Sequence, residues 1–163
     1  MSGSSLTTEQ ILAMLAAVPP RLAALTDGLR EDQLHAAPNP GEWSANAVLA
    51  HLRSCADVWG SCMETILTQD RPTIRAMNPR TWMEKTDYLE QDFVPSLQAF
   101  STQRTQLLAR LEPLTPEQWS RSATVTGAGK TLERSVRFYA EWLATHERPH
   151  VKQMERIAKS VKR

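Results

Sequence analysis

The sequence predicts an all-α protein built as a four-helix bundle, and three observations predict it. Four long stretches repeat apolar residues at steps of three and four, the spacing of one face of a helix. Only six glycines occur in 163 residues and β-branched runs are short, which argues against an extended sheet. Linkers containing proline, asparagine and glycine separate the stretches, and those near 70–80 and 112–130 are long for tight up-down hairpins, which leaves room for at least one crossover. A chain of this length buries one core of useful size. The expectation is one domain over residues 1–163, with frayed tails at about 1–5 and 159–163.

The first helix opens on Thr7-Thr-Glu-Gln10, which has the pattern of a capping box. Ile11, Leu15, Val18, Leu22, Leu25 and Leu29 form its stripe. Pro19-Pro20 removes backbone donors inside it and predicts a kink or brief break near Val18. One more turn fits between Arg30 and Ala37, before the loop Pro38-Asn-Pro-Gly41. The second helix starts after Gly41-Glu-Trp43 with Ser44 as N-cap. Its stripe is Val48, Leu52, Cys55, Trp59, Cys62 or Met63, and Ile66, and His51 lies on the edge of that stripe.

After a linker over about 69–80, the third helix is expected from Thr81 to about Leu111, bent at Pro95. Arg104 is a charged intruder on its seam. Thr115-Pro-Glu-Gln-Trp119 reads as one capped turn with proline at the first helical position. Residues 120–130 read as irregular, and the fourth helix as roughly Thr131 to Ala158.

On the fourth helix the inward stripe is Leu132, Val136, Tyr139, Leu143, His146, His150, Gln153 or Met154, and Ile157. Imidazoles thus replace aliphatic residues at two successive seam positions. A buried imidazole without a partner is costly. Side chains four apart on a helix converge, and neutral imidazole is a good metal ligand, so a divalent ion satisfies the pair economically. Of the four histidines, His51 leans inward from the second helix and completes a three-His set with His146 and His150. His35 falls in a polar loop and reads as solvated. Trp43, Tyr139 and Trp142 could line the mouth of such a site, and Cys55 stands one turn from His51. For the aromatics and for Cys55, packing in the core is the commoner use of such positions.

Several function classes are excluded. Nineteen basic residues against eighteen acidic ones give a formal charge of +1, which leaves no basic footprint for nucleic acid. No apolar run is long enough to span a membrane, and Met1-Ser-Gly-Ser-Ser5 does not begin a secretory signal, so a cytoplasmic protein is expected. Cys55 and Cys62, two turns apart on one helix (about 10 Å), are too distant for a disulfide and read as thiols.

His146-Glu-Arg-Pro-His150 matches the H-E-x-x-H pattern of zinc proteases, but only 13 residues follow and none is histidine. Pro149 within the motif would also deform a protease helix. Glu147 points about 100° away from His146 on an ideal helix. It therefore reads as a weak general base, serving as an outer support of the site or standing in solvent. No catalytic acid or base can be named. Thr126-Gly-Ala-Gly-Lys-Thr131 lacks the first glycine of a phosphate-binding loop and follows no βαβ strand.

Gly41-Glu-Trp-Ser44 followed by Val48-Leu-Ala-His51-Leu52 resembles the opening of the second helix in the DinB-like family. Gly129-Lys-Thr-Leu132 leading into His146-Glu-Arg-Pro-His150-Val-Lys-Gln153 is similar to that family's last helix, with its spaced histidines and glutamine. The resemblance implies a bundle in up-down-down-up order, often dimeric. It implies a divalent metal, zinc or nickel, on three histidines, here His51, His146 and His150. It also implies a small-molecule substrate, since relatives include thiol transferases and an isomerase in which metal activates a low-molecular-weight thiol. A metal-dependent hydrolase or thiol transferase is the expected activity. The alternative is a non-enzymatic dimeric bundle that binds metal or ligand. The family pattern does not require Pro149, which bears on whether His146 and His150 keep one-turn geometry.

Overall fold

The structure, a computed structural model, describes residues 6–162. Its helices are α1 (Thr8–Thr26), the single turn α2 (Glu31–Leu34), α3 (Ala45–Thr68), α4 (Pro79–Lys85), α5 (Phe93–Leu111), the turn α6 (Pro116–Trp119) and α7 (Val136–Val161). Three short strands, β1 (Thr73–Arg75), β2 (Ser122–Thr126) and β3 (Leu132–Ser135), complete the described elements together with a 3-10 turn at Tyr88–Glu90.

The four long helices α1, α3, α5 and α7 form the bundle, and side-chain contacts fix their directions. Along α1 and α7, Leu6 meets Arg137 and Arg21 meets Glu155, so these helices run parallel. Along α3 and α5, Arg53 meets Ser96, Asp57 meets Gln103 and Glu64 meets Arg110, so these too are parallel. His51 meets His150 while Trp59 meets Trp142, which sets α3 antiparallel to α7. The order is up-down-down-up, as the resemblance implies.

Because α3 and α5 run the same way, the chain must return the length of the bundle between Gln69 and Asp92. Asp57 on α3 straps that crossover down: it accepts from Trp82 Nε1 at 2.9 Å and Tyr88 Oη at 2.5 Å, and from Gln103 on α5. Asn46 adds donations to the carbonyls of Leu89 and Gln91, both at 3.2 Å. Arg53 lies over the Tyr88 ring at 3.7 Å.

Local chemistry accounts for most boundaries. Thr7, Ser44 and Ser135 each accept from a first-turn amide and start α1, α3 and α7, and Thr7 with Gln10 completes the capping box. Pro19-Pro20 and Pro149 lie inside α1 and α7, which continue through them without a break. Thr115 caps α6 with Pro116 at its first position.

Three expectations are corrected. The single helix expected from Thr81 to Leu111 is instead α4, the 3-10 turn and α5. Pro95 sits in the first turn of α5, where its missing N–H would have had no helical partner. The stretch 120–130 is not irregular: Ser122–Thr126 is a strand with alternating burial, antiparallel to β3 and parallel to β1. Its reversal uses Gly127 and Gly129 at φ of +87° and +88°, a conformation that suits glycine. The fourth helix therefore begins at Val136 and not Thr131, and runs to Val161. The tail expected at 1–5, and Arg163, lie outside the described residues.

The core divides into two apolar clusters. One holds Ile11, Leu15, Met63, Ile66, Leu111, Val136 and Leu143. The other holds Val18, Leu22, Leu49, Leu52, Phe100, Met154 and Ile157. Between these sets along α5 and α7 come Arg104 and the run His146 to His150, a polar layer across the middle of the bundle.

Candidate metal centre

Helices α3 and α7 cross at that layer and bring three imidazoles together. His51, on α3, is only 5% exposed, and its Nε2 lies 3.3 Å from His146 Nε2 on α7. The His150 ring lies with its centroid 4.7 Å from that of His51 and 4.9 Å from that of His146. Pro149, exposed on the outer face, leaves the two α7 imidazoles adjacent one turn apart. His150 Nδ1–H donates to the Gln153 amide oxygen at 3.0 Å, which leaves the Nε2 lone pair free.

Cys55, one turn beyond His51, places Sγ 3.5 Å from His51 Nε2 and 3.6 Å from His146 Nε2. His51, Cys55 and His146 bring their donor atoms close enough together for one ion, and His150 stands beside that cluster. A second cluster, Glu31, His35 and Asp92, is at the surface, and its Glu31 carboxylate accepts from the Phe93 and Val94 amides at the start of α5.

The surroundings favour the neutral form of His51 and of His146. Burial, reinforced by His150, His146 and Arg80, pushes His51 down from 6.5 to about 4. Burial and His150 lower His146 as well. Burial, with the Glu147 charge adding to it, pushes the Cys55 thiol up to about 12. The donor set fits a divalent ion on two observations. The polar partners of the His51 nitrogens are Cys55 and His146, with no carboxylate or carbonyl among them. The 3.3 Å between the two Nε2 atoms matches the about 3.3–3.4 Å that separates imidazole nitrogens bound tetrahedrally to zinc.

Of the residues named as a mouth, Trp43 packs on His51 with ring centroids 5.2 Å apart and lies under Arg80 at 5.0 Å. Trp142, 47% exposed, stacks on His146 at 6.2 Å. Tyr139 is buried in the apolar cluster, with its hydroxyl beside Cys62 rather than among the imidazoles. Sequence reasoning gave no site role to Trp59, whose ring meets the His146 ring edge-on at 5.0 Å. The available signal was its place one turn past Cys55 on the same stripe.

Of the two readings of Glu147, as an outer support of the site or as a solvated side chain, burial removes the second. Glu147 is wholly buried and paired with Arg104 through Nη1–Oε1 at 2.9 Å and Nη2–Oε2 at 2.5 Å. Burial raises its carboxyl above the ordinary range, with Arg104 opposing. A surface groove of about 670 Å³ runs between α1 and α7, lined by Met14, Arg21, Arg148, Lys152 and Glu155 among others; none of the imidazoles lines it.

The family described as the DinB superfamily matches residues 14–154. A protein of Halalkalibacterium halodurans named as a candidate metal-dependent hydrolase is 26% identical over 140 residues, covering 85% of this chain and 81% of that one. A similarly named protein of Geobacillus kaustophilus is 24% identical over 157 residues, covering 93% and 84%. YfiT of Bacillus subtilis, under the same kind of name, is 24% identical over 147 residues, covering 89% and 82%. A solved structure of YfiT, described as a probable metal-dependent hydrolase with an unusual four-helix bundle topology, superposes with a TM-score of 0.79. It is 20% identical, and the match covers 98% of this chain and 91% of that one. No described helix is long and apolar enough to cross a membrane.

Proposed function

The chain belongs to the DinB superfamily, and on that premise we propose that it is a metal-dependent hydrolase of small-molecule substrates. Its divalent ion, zinc or nickel, is held by His51, His146 and His150. The observation that carries this reading is the buried His51 imidazole facing the half-buried His146 imidazole, nitrogen to nitrogen at 3.3 Å, with no carboxylate or carbonyl between them. The names of its relatives point the same way.

Bound there, the ion supplies Lewis acidity to a water or a scissile carbonyl. The protein's own residues prepare the place. Burial keeps His51 and His146 unprotonated at neutral pH, so their lone pairs are available. Gln153 fixes the His150 tautomer by accepting its Nδ1–H. Trp43 and Trp59 pack against the imidazoles and limit water on those sides. Trp142, half-exposed beside His146, marks the side open to a substrate. Glu147 is tied to Arg104 and takes no part as a base.

The test is elemental analysis of the purified chain, followed by a panel of ester, amide and phosphoester substrates with added zinc or nickel. The reading expects one metal equivalent per chain and turnover that requires it, both lost in His51→Ala and His146→Ala. A chain that binds no divalent metal, and that folds unchanged with both substitutions, defeats it.

A further inference from the structure

We propose that the Cys55 sulfur is a ligand of the same ion, which makes the centre a mixed imidazole–thiolate site. This rests on the metal-dependent reading above and adds a donor to it; with three imidazoles and the thiolate as ligands, water or substrate would enter as a fifth ligand, an expansion that zinc sites allow. Cys55 is fully buried, and its polar partners are the two facing imidazoles. With sulfur at about 2.3 Å and nitrogen at about 2.0–2.1 Å from a tetrahedral ion, sulfur and nitrogen stand about 3.5–3.6 Å apart. The two measured separations are 3.5 and 3.6 Å, and the nitrogen–nitrogen separation is 3.3 Å. All three edges of one coordination face are thus in place on a single side of the α3–α7 crossing. A cysteine serving only as a small core residue has no reason to sit equally far from both nitrogens.

The chemistry is balanced without a redox partner. The S–H bond breaks, its proton goes to solvent, and the sulfur lone pair forms the bond to the ion. A thiolate donor biases the site towards soft or borderline ions such as zinc and away from magnesium and manganese. Cys62 provides an internal control, since its sulfur lies beside the Tyr139 hydroxyl and outside the donor cluster.

Cobalt(II) added to the full chain tests the proposal through absorbance, independently of activity. Wild type and Cys62→Ser are expected to show thiolate-to-cobalt charge transfer in the near ultraviolet, and Cys55→Ser to lack it. In competition with a chelator, Cys55→Ser is expected to bind cobalt at least about tenfold more weakly, since even outer-sphere changes commonly cost that much. Should Cys55→Ser fail to fold, the wild-type spectrum decides alone. Stoichiometric cobalt with ligand-field bands but no charge transfer overturns the thiolate ligand and leaves the three-imidazole site standing. No cobalt binding by wild type overturns both.

Discussion

Arg104 and Glu147 form a two-pronged ion pair sealed in the middle of the bundle, and Arg104 Nη1 also donates to the Leu15 carbonyl at 2.8 Å. The pair ties α1, α5 and α7 together one residue along from His146. Removing one partner strands a buried charge, whereas replacing both with apolar residues of similar volume does not. Arg104→Ala or Glu147→Ala is expected to cost about 3–5 kcal/mol of unfolding free energy. Arg104→Met with Glu147→Leu should recover most of it. Urea unfolding of the four proteins checks this; additive losses in the double variant would show that the pair is not coupled.

Removal of imidazoles should affect metal and fold differently. His51→Ala and His146→Ala are expected to abolish stoichiometric metal, read by elemental analysis. Gln153→Ala should weaken binding by about 10- to 100-fold, because it frees the His150 tautomer without deleting a ligand. Metal added to wild type should raise its thermal midpoint as its concentration passes the dissociation constant.

The acid response of metal-freed protein follows from His51. Its folded value of about 4 lies below the ordinary 6.5, so between those values the unfolded chain takes up a proton that the folded chain refuses. This contribution is therefore fully present above about pH 6.5 and is lost as pH falls towards 4, a change of about 3 kcal/mol. His146 is shifted in the same direction. Unfolding free energies measured from pH 7 to pH 4 should fall steeply in wild type and less so in His51→Gln.

Asp57 serves three donors, Trp82, Tyr88 and Gln103. Asp57→Ala leaves them without their acceptor and should cost about 2–4 kcal/mol, since each net bond to a charged group is worth about 1.5–3 kcal/mol and the donors lie partly in water. Limited proteolysis should then cut first between residues 69 and 92. Uniform cleavage, or none beyond wild type, would count against the strap.

The helical stripes were legible because a bundle seam repeats every three or four residues over many turns, and His51, His146 and His150 stood out as polar interruptions of it. The hairpin was not legible. Ser122–Thr126 is five residues long, and its alternation Ala123-in, Thr124-half-out, Val125-in gives too short a signal against the glycines that follow. The break between α4 and α5 was hidden by apolar residues at helical spacing, although Thr86, Asp87 and Asp92 mark it. The burial of Glu147 was not legible, because position on one helix says nothing of a cation on another. Arg104 is out of place on its own seam, and the two buried charges resolve each other. Trp59 was legible as core, while its contact with His146 depended on how α3 crosses α7.

The two imidazoles that face each other are separated by 95 positions in the chain. Closing so long a loop carries an entropic cost that local helix formation does not repay. His51 is synthesised early and His146 late, so a ribosome-bound chain that has emerged only through α5 has one of the three clustered imidazoles and no pocket. On the metal-dependent reading proposed above, loading with the ion is a late step in biogenesis. A chain arrested before α7 should display its α3 donors, His51 and Cys55, to solvent and oxidants, and the arrival of the last helix both covers them and makes them useful.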